Sequence, residues 1–100
     1  MTDADALDSI HEAARKGRYQ IDGHCTRQMA QRGFDHHDVR AALMNATRVE
    51  HYADPARSPV SAGASCWRVF GFDLDGDSLT LGVDLWRDKL GHFVLVATAF

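Results

Sequence analysis

The final third of the chain holds three β-rich runs separated by short turns, and this arrangement most constrains the fold. The runs read CWRVFGF, SLTLGVDLW and HFVLVATAF, and the turns between them contain Gly76 and Gly91. Glycine-containing turns between β-rich runs are typical of hairpins. In the middle run every second residue from Leu79 to Leu85 is apolar, so one face of that strand packs on a core. The pattern predicts an antiparallel meander whose last strand, apolar on both faces, lies inside the sheet.

The first half of the chain has helical periodicity. A first helix is predicted with Thr2 or Asp3 as its cap and Gly17 as its stop. A second helix is predicted from about His24 to Arg32, and Asp35 would cap a third. A short extended piece, RYQI, follows the first helix, and VEHY follows the third as a strand. Helices first and strands afterwards predict an α+β fold, with N-terminal helices packed on a C-terminal antiparallel sheet of about four strands.

One hundred residues are enough for one domain, so we expect residues 1–100 to share one core. Within it, residues 1–17 form the N-terminal helix and residues 18–100 a helix–helix–sheet core. Residues 53–65 include both prolines and predict an exposed loop. The acidic N-terminus lacks the basic-then-apolar order of a secretory signal, and no apolar run approaches the roughly 20 residues of a membrane span. We therefore expect a cytoplasmic protein that does not bind membranes, with its two cysteines reduced.

Positive charge is concentrated in the helical segment although the net charge is −3. Residues 15–48 hold seven Arg or Lys against three Asp, and nine of the eleven cations in the chain are arginine. The planar guanidinium suits phosphate and carboxylate better than a lysine ammonium does. An ordinary solvated surface explains the same distribution equally well.

The second helix collects polar side chains along one side. At 100° per residue, a strip within about 60° of one direction includes His24, Arg27, Gln28 and Gln31, with Arg32 at its border. Such a strip is often only a solvated face. His24, however, begins the helix beside Gly23, where free backbone N–H groups favour an anion.

Several motifs follow one another along the chain. H-x-x-R-x-M-x-x-R-G spans residues 24–33, D-V-x-x-A-L begins at Asp38, V-x-x-Y begins at Val49, and the closing strand ends in Thr98-Ala99-Phe100. This combination resembles a bacterial family catalogued as domain of unknown function 4258, over residues 19–100. The resemblance implies a fold similar to the barnase–colicin–RelE group of small RNA-cutting toxins. No activity is established for the family as a whole, so the resemblance supports a fold better than a reaction.

Metal-free RNA cleavage uses the 2′-hydroxyl of the RNA as nucleophile, and it requires a proton acceptor, a proton donor and cations for the transition state. Histidine suits either proton role, and arginine binds two phosphate oxygens at once. We therefore expect His24 to transfer protons and Arg27 and Arg32 to bind the phosphate. The hypothesis places catalysis on His24, Arg27, Arg32 and Thr98, and substrate binding on Gln28, Gln31 and Arg68. The structural alternative is that His24 caps its helix while Arg32 packs the helix on the sheet.

Another function remains open: a non-catalytic module of the same fold that binds RNA or a protein partner such as a cognate antitoxin. The acidic net charge and the lack of an obvious paired catalytic acid favour it. No cofactor or metal is expected, because His36 and His37 face about 100° apart on a helix. The alternating Asp73, Asp75 and Asp77 predict a polar hairpin turn rather than a calcium loop.

Overall fold

The computed structural model describes residues 1–52 and 64–100. Its elements are α1 (Asp3–Arg15), β1 (Tyr19–Ile21), α2 (Gly23–Arg32), α3 (His36–Asn45), β2 (Arg48–His51), β3 (Ser65–Phe72), β4 (Ser78–Asp88) and β5 (Gly91–Ala99). The predicted loop 53–65 lies outside the described residues up to residue 63, and Ser65 already belongs to β3.

The strands form one sheet in the order β1-β5-β4-β3-β2. The antiparallel meander from β2 to β5 and the interior position of β5 are as predicted. The prediction of about four antiparallel strands is wrong in number and in kind. A fifth strand, β1, pairs parallel with β5 from Tyr19↔Val94 to Ile21↔Val96, so the sheet is mixed. Three residues are too few to show strand alternation in a sequence.

The helix ends follow side-chain capping. Thr2 caps α1, and Asp35 caps α3 in a capping box with Asp38, as the sequence predicts. Helix α2 begins at Gly23, one residue earlier than predicted, because the Asp22 carboxylate is its N-cap and accepts the His24 N–H. Gly33 ends α2 in the left-handed conformation, with φ of 77°.

All three helices pack on one face of the sheet, which we call the helix-covered face. Ile10 of α1, Cys25 of α2 and Leu43 of α3 are fully buried there, together with Leu81 of β4. Helix α3 approaches β3 closely at Gly71, where a Cβ atom would lie 2.2 Å from the Ala42 carbonyl oxygen. Glycine is therefore required for this contact between helix and strand.

The opposite face of the sheet, which we call the second face, carries the alternate residues of each strand. On the helix-covered face, by contrast, Leu81 of β4 pairs with Val69 of β3 and with Ala99 of β5, and all three are buried in the core. Neighbouring residues of a strand point to opposite faces, so the adjacent residues of these strands lie on the second face.

Candidate functional site

Four residues form a row across the second face, one from each strand of the meander. Glu50 of β2 pairs with Arg68 of β3, Arg68 with Gly82 of β4, and Gly82 with Thr98 of β5. The sheet register therefore brings together Arg68 and Thr98, two residues that the sequence assigned to one site.

Thr98 reaches this face because β5 contains an irregularity. Gly82 pairs with Thr98 whereas the next residue, Val83, pairs with Val96, so Ala97 is an extra residue in β5. A β-bulge of this kind shifts the alternation of the strand. Val94, Val96 and Ala99 consequently all pair with core residues of β4, and Thr98 is turned to the second face.

Two aromatic rings contact the arginine of this row. The Arg68 Cζ lies 4.6 Å from the centre of the Phe100 ring and 5.4 Å from the centre of the Tyr52 ring. The two rings meet edge to face, with centres 5.9 Å apart. We call Tyr52, Arg68, Gly82, Thr98 and Phe100 the Arg68 cluster.

The absence of a side chain at Gly82 lets the cluster assemble. A Cβ atom there would lie 2.6 Å from the Tyr52 hydroxyl, 2.8 Å from Thr98 Cγ2 and 3.1 Å from Phe100 Cε2. These distances are too short for any side chain at position 82 to fit without displacing its neighbours. The three side chains therefore pack directly over the backbone of Gly82.

The Arg68 guanidinium has a hydrogen-bond donor without a partner among the described residues. Its Nε is buried and makes no hydrogen bond to the part of the chain that the structure describes. Glu50, opposite it in the sheet, forms its ion pair with Arg48 instead, at 3.3 Å. A half-buried guanidinium stacked on aromatic rings has N–H groups that an anionic ligand can satisfy.

Two residues of the predicted α2 strip hold the edge of β5. The Gln28 amide donates to the Ala99 carbonyl at 2.9 Å and accepts the Ala99 N–H at 2.8 Å. The Thr98 hydroxyl donates to Gln28 Oε1 at 3.2 Å, and Arg32 Nη1 donates to the Ala99 carbonyl at 3.3 Å. The pairing of β5 with β1 ends at Val96, so Gln28 takes the place of a strand beside Ala99. Gln28, Arg32 and Thr98 are thus brought together as the sequence predicts, but around a backbone edge.

The other three residues of the strip, His24, Arg27 and Gln31, are exposed. Arg27 Nη1 lies 3.8 Å from the position that a Cβ of Gly23 would take, which places this guanidinium near the start of α2. Within residues 1–52 and 64–100, no hydrogen bond or ion pair joins these three side chains to the Arg68 cluster. The start of α2 was expected to offer free backbone N–H groups to an anion. One of them already has a partner, because the Asp22 carboxylate accepts the His24 N–H at 3.2 Å.

Sequence reasoning missed Tyr52 and Phe100 as members of the site. The Tyr52 ring lies on the second face. Strand alternation could have found it, since Val49 is buried in the core and Tyr52 is an odd number of residues away. The position of Phe100 follows from its backbone N–H, which donates to the Thr80 carbonyl at 2.9 Å.

Cys25 and Cys66 are free cysteines, and both are buried. Desolvation, with a smaller contribution from the Asp22 carboxylate, raises the pKa of the Cys25 thiol. Cys66 has a polar neighbour, since its Sγ donates to Asp84 Oδ1 at 3.2 Å. Asp84 is fully buried on the same face as the Arg68 cluster.

The described residues contain no group of three or more His, Cys, Asp or Glu side chains that could hold a metal ion. The aspartates lie in a polar turn between β3 and β4, as the sequence predicts, and the Asp73 side chain stabilises that turn. The Asp73 carboxylate accepts the backbone N–H groups of Asp75 and Asp77, each at 2.9 Å. No helix in the described ranges is long and apolar enough to span a membrane.

Comparison with known proteins gives one result. No curated protein and no solved structure matches the chain. The sequence profile of the family described as Domain of unknown function (DUF4258) matches residues 21–100, which is four fifths of the chain and includes both α2 and the Arg68 cluster. The chain therefore belongs to the DUF4258 family.

Proposed function

We propose that this chain is a small toxin-like ribonuclease that binds RNA at the Arg68 cluster and cleaves it without a metal ion. We further propose that its fold is related to that of RelE and barnase, and that it acts in the cytoplasm. One observation carries the proposal: the Arg68 guanidinium lies against two aromatic rings and has a buried Nε without a hydrogen-bond partner among the described residues.

The cluster offers both groups that single-stranded RNA requires. Arg68 supplies the charge for a phosphate, and Phe100, with 53% of its surface exposed, supplies a ring on which a base can stack. Base stacking on an aromatic side chain contributes about 1–3 kcal/mol per base. An unpaired strand suits this surface better than a duplex, since the bases of a duplex are already stacked on one another.

The proposed reaction is an attack of the RNA 2′-oxygen on the adjacent phosphorus. The P–O bond to the 5′-oxygen breaks, and the products carry a 2′,3′-cyclic phosphate and a 5′-hydroxyl. The proton lost by the 2′-hydroxyl must be accepted, and a proton must be given to the departing 5′-oxygen. His24 is the proposed proton carrier, because it lies one helical turn before Gln28, whose amide bonds Thr98.

The arginines and glutamines of α2 complete the proposed surface. Arg27 and the outer N–H groups of Arg32 would bind phosphates that continue past Thr98, and Gln31 would contact the same strand of RNA. Gln28 would act by holding Thr98 in place rather than by touching the substrate, because both ends of its amide bond to β5.

Two measurements test this function. Binding of a fluorescein-labelled single-stranded RNA is followed by anisotropy at low salt, and cleavage of the same RNA is followed on gels in the presence of EDTA. Arg68→Ala is expected to weaken binding at least about tenfold, as typical for loss of a phosphate and stacking contact. Arg40→Ala, which removes an exposed arginine of α3, is the matched control and should bind as the wild type does. Equal affinities for the Arg68 and Arg40 variants would contradict the proposed binding surface.

His24→Ala separates binding from chemistry. It should abolish cleavage in EDTA while leaving the affinity for RNA within about twofold of the wild type, since the imidazole is exposed and lies outside the Arg68 cluster. Full cleavage by this variant would remove His24 from the mechanism.

A non-catalytic module is the second candidate, and one observation favours it. Among the described residues, no hydrogen bond or ion pair links His24 to the Arg68 cluster, so the groups for proton transfer and for phosphate binding are not joined. Such a module would bind RNA or a protein partner through the same cluster, and the wild type would cleave nothing. Growth arrest on expression, relieved by the product of a neighbouring gene, would favour the toxin and identify that product as its antitoxin.

A further inference from the structure

Strand β2 forms one end of the sheet, and no strand in residues 1–52 and 64–100 pairs with its outer edge. An unpaired strand edge presents backbone donors and acceptors that can add another strand. On the second face β2 carries two side chains of opposite charge, the exposed Arg48 and the half-buried Glu50. The opposite edge strand, β1, reads Tyr-Gln-Ile and carries no charge.

The register with β3 determines which backbone groups of β2 point outward. The Tyr52 N–H donates to the Cys66 carbonyl at 3.1 Å, so Tyr52 and Cys66 are a hydrogen-bonded pair. In an antiparallel ladder such pairs recur at every second residue, which makes Glu50/Arg68 and Arg48/Phe70 pairs of the same type. The N–H and C=O of Val49, between them, therefore point to the outer edge.

We propose that two copies of this chain associate through antiparallel pairing of their β2 strands about a two-fold axis at Val49. In this register the Val49 residues of the two copies exchange two backbone hydrogen bonds. Arg48 of each copy lies directly opposite Glu50 of the other, at the distance of about 5 Å between Cβ atoms that favours opposite charges. The two five-stranded sheets become one continuous sheet.

The charge pattern selects this register over its neighbours. A two-fold axis at Glu50 would place Glu50 opposite its own copy, and an axis at Arg48 would place two arginines in opposition. Like charges directly opposite each other destabilise a strand pair. Arg48 also keeps its place in the proposed dimer, since its Cζ rests 3.9 Å from the centre of the Phe70 ring on its own sheet.

The mass of the particle, measured by light scattering after size exclusion over a range of concentrations, tests the dimer. The wild type is expected to be dimeric at high micromolar concentration. Arg48→Glu and Glu50→Arg each place like charges in opposition at two positions, and each should raise the dissociation constant at least about tenfold. Asp8→Lys changes the charge of an exposed α1 residue and should leave the dimer unchanged. A monomeric wild type, or single variants as dimeric as the wild type, would overturn the proposal.

Mixing the two variants gives the sharper result. A chain with Arg48→Glu has two acids on β2, and a chain with Glu50→Arg has two bases, so an equal mixture should form a heterodimer. The double variant R48E/E50R exchanges the charges and should recover the homodimer. A variant that had merely lost its fold would recover in neither case, so failure of both rescues would also overturn the proposal. None of these measurements involves RNA, and the result is independent of the proposed ribonuclease.

Discussion

Gln28 shows how one side chain of α2 can substitute for a β-strand. Its amide makes three hydrogen bonds to Thr98 and Ala99, where the sheet has no further strand among the described residues. Ala99 is only 3% exposed, so its N–H and C=O have little access to water if Gln28 is removed. Buried backbone groups left without partners are costly.

We therefore expect Gln28→Ala to lower the free energy of unfolding by about 1–3 kcal/mol, measured by urea denaturation followed by circular dichroism. Gln28→Glu should also be less stable than the wild type, because a carboxylate accepts the Ala99 N–H but offers no donor to the Ala99 carbonyl. Gln31→Ala, which removes an exposed glutamine of the same helix, should change stability by less than about 0.5 kcal/mol. If the alanine variants at both positions behaved alike, the strand-like role of Gln28 would be wrong.

How far the site could be predicted depends on which contacts are local. The angular position of side chains on α2 correctly grouped Gln28 with Arg32, because that angle is a property of one helix. The angle alone could not show that Gln28 and Arg32 contact the edge of β5, because tertiary packing decides which face of a helix meets the sheet. Thr98 illustrates the same limit, because its orientation depends on the bulge at Ala97 and no local signal marks that bulge.

At the scale of elements, the helices and strands that are determined by a few consecutive residues were predicted well. The capping box at Asp35, the glycine stop at Gly33 and the alternating pattern of β4 each determine one element locally. Strand β1 was only a short extended piece in the sequence, because its partner residues lie at the far end of the chain, with Tyr19 paired to Val94. Non-local pairing of this kind leaves little trace in either segment alone.

Asp38 joins two elements, and its titration makes that junction sensitive to pH. Its carboxylate accepts the Asp35 N–H within the capping box and the Leu74 N–H of the β3–β4 turn, each at 3.0 Å. The bonds from these two backbone groups, that from Asp35 first, lower the pKa of Asp38. Because the pKa in the folded protein lies below that of the unfolded chain, the stabilisation is present above the unfolded pKa of about 3.9 and is lost as the pH falls through the folded value.

The difference in unfolding free energy between the wild type and Asp38→Asn should therefore be larger at pH 7 than at pH 3. Urea denaturation of both proteins at the two pH values measures it. Asp8→Asn, at an exposed position of α1, is the control for loss of one negative charge and should show a much smaller change with pH. A difference between wild type and Asp38→Asn that stayed constant with pH would mean that the carboxylate does not support this junction.

For the molecule as a whole, the question is whether α1 belongs to the fold or is attached to it. The family profile matches residues 21–100 and so does not include α1. Yet Ile10 is fully buried in the same core as Leu43, and His11 Nε2 lies 2.8 Å from the Ala46 carbonyl oxygen at the end of α3. Helix α1 thus packs against both the sheet and α3, within the common core.

If α1 is part of the cooperative unit, Ile10→Ala should cost as much as a substitution in the matched region. We expect about 2–5 kcal/mol for both Ile10→Ala and Leu43→Ala, because each removes a fully buried aliphatic side chain and leaves a cavity. Leu7→Ala, at a half-buried position of α1, should cost less. Urea denaturation should show one transition for every variant, monitored by tryptophan fluorescence from Trp67 in the sheet core and by circular dichroism. A separate early transition confined to circular dichroism, or an Ile10→Ala variant with the wild-type midpoint, would show that α1 unfolds independently and that residues 21–100 carry the stability alone.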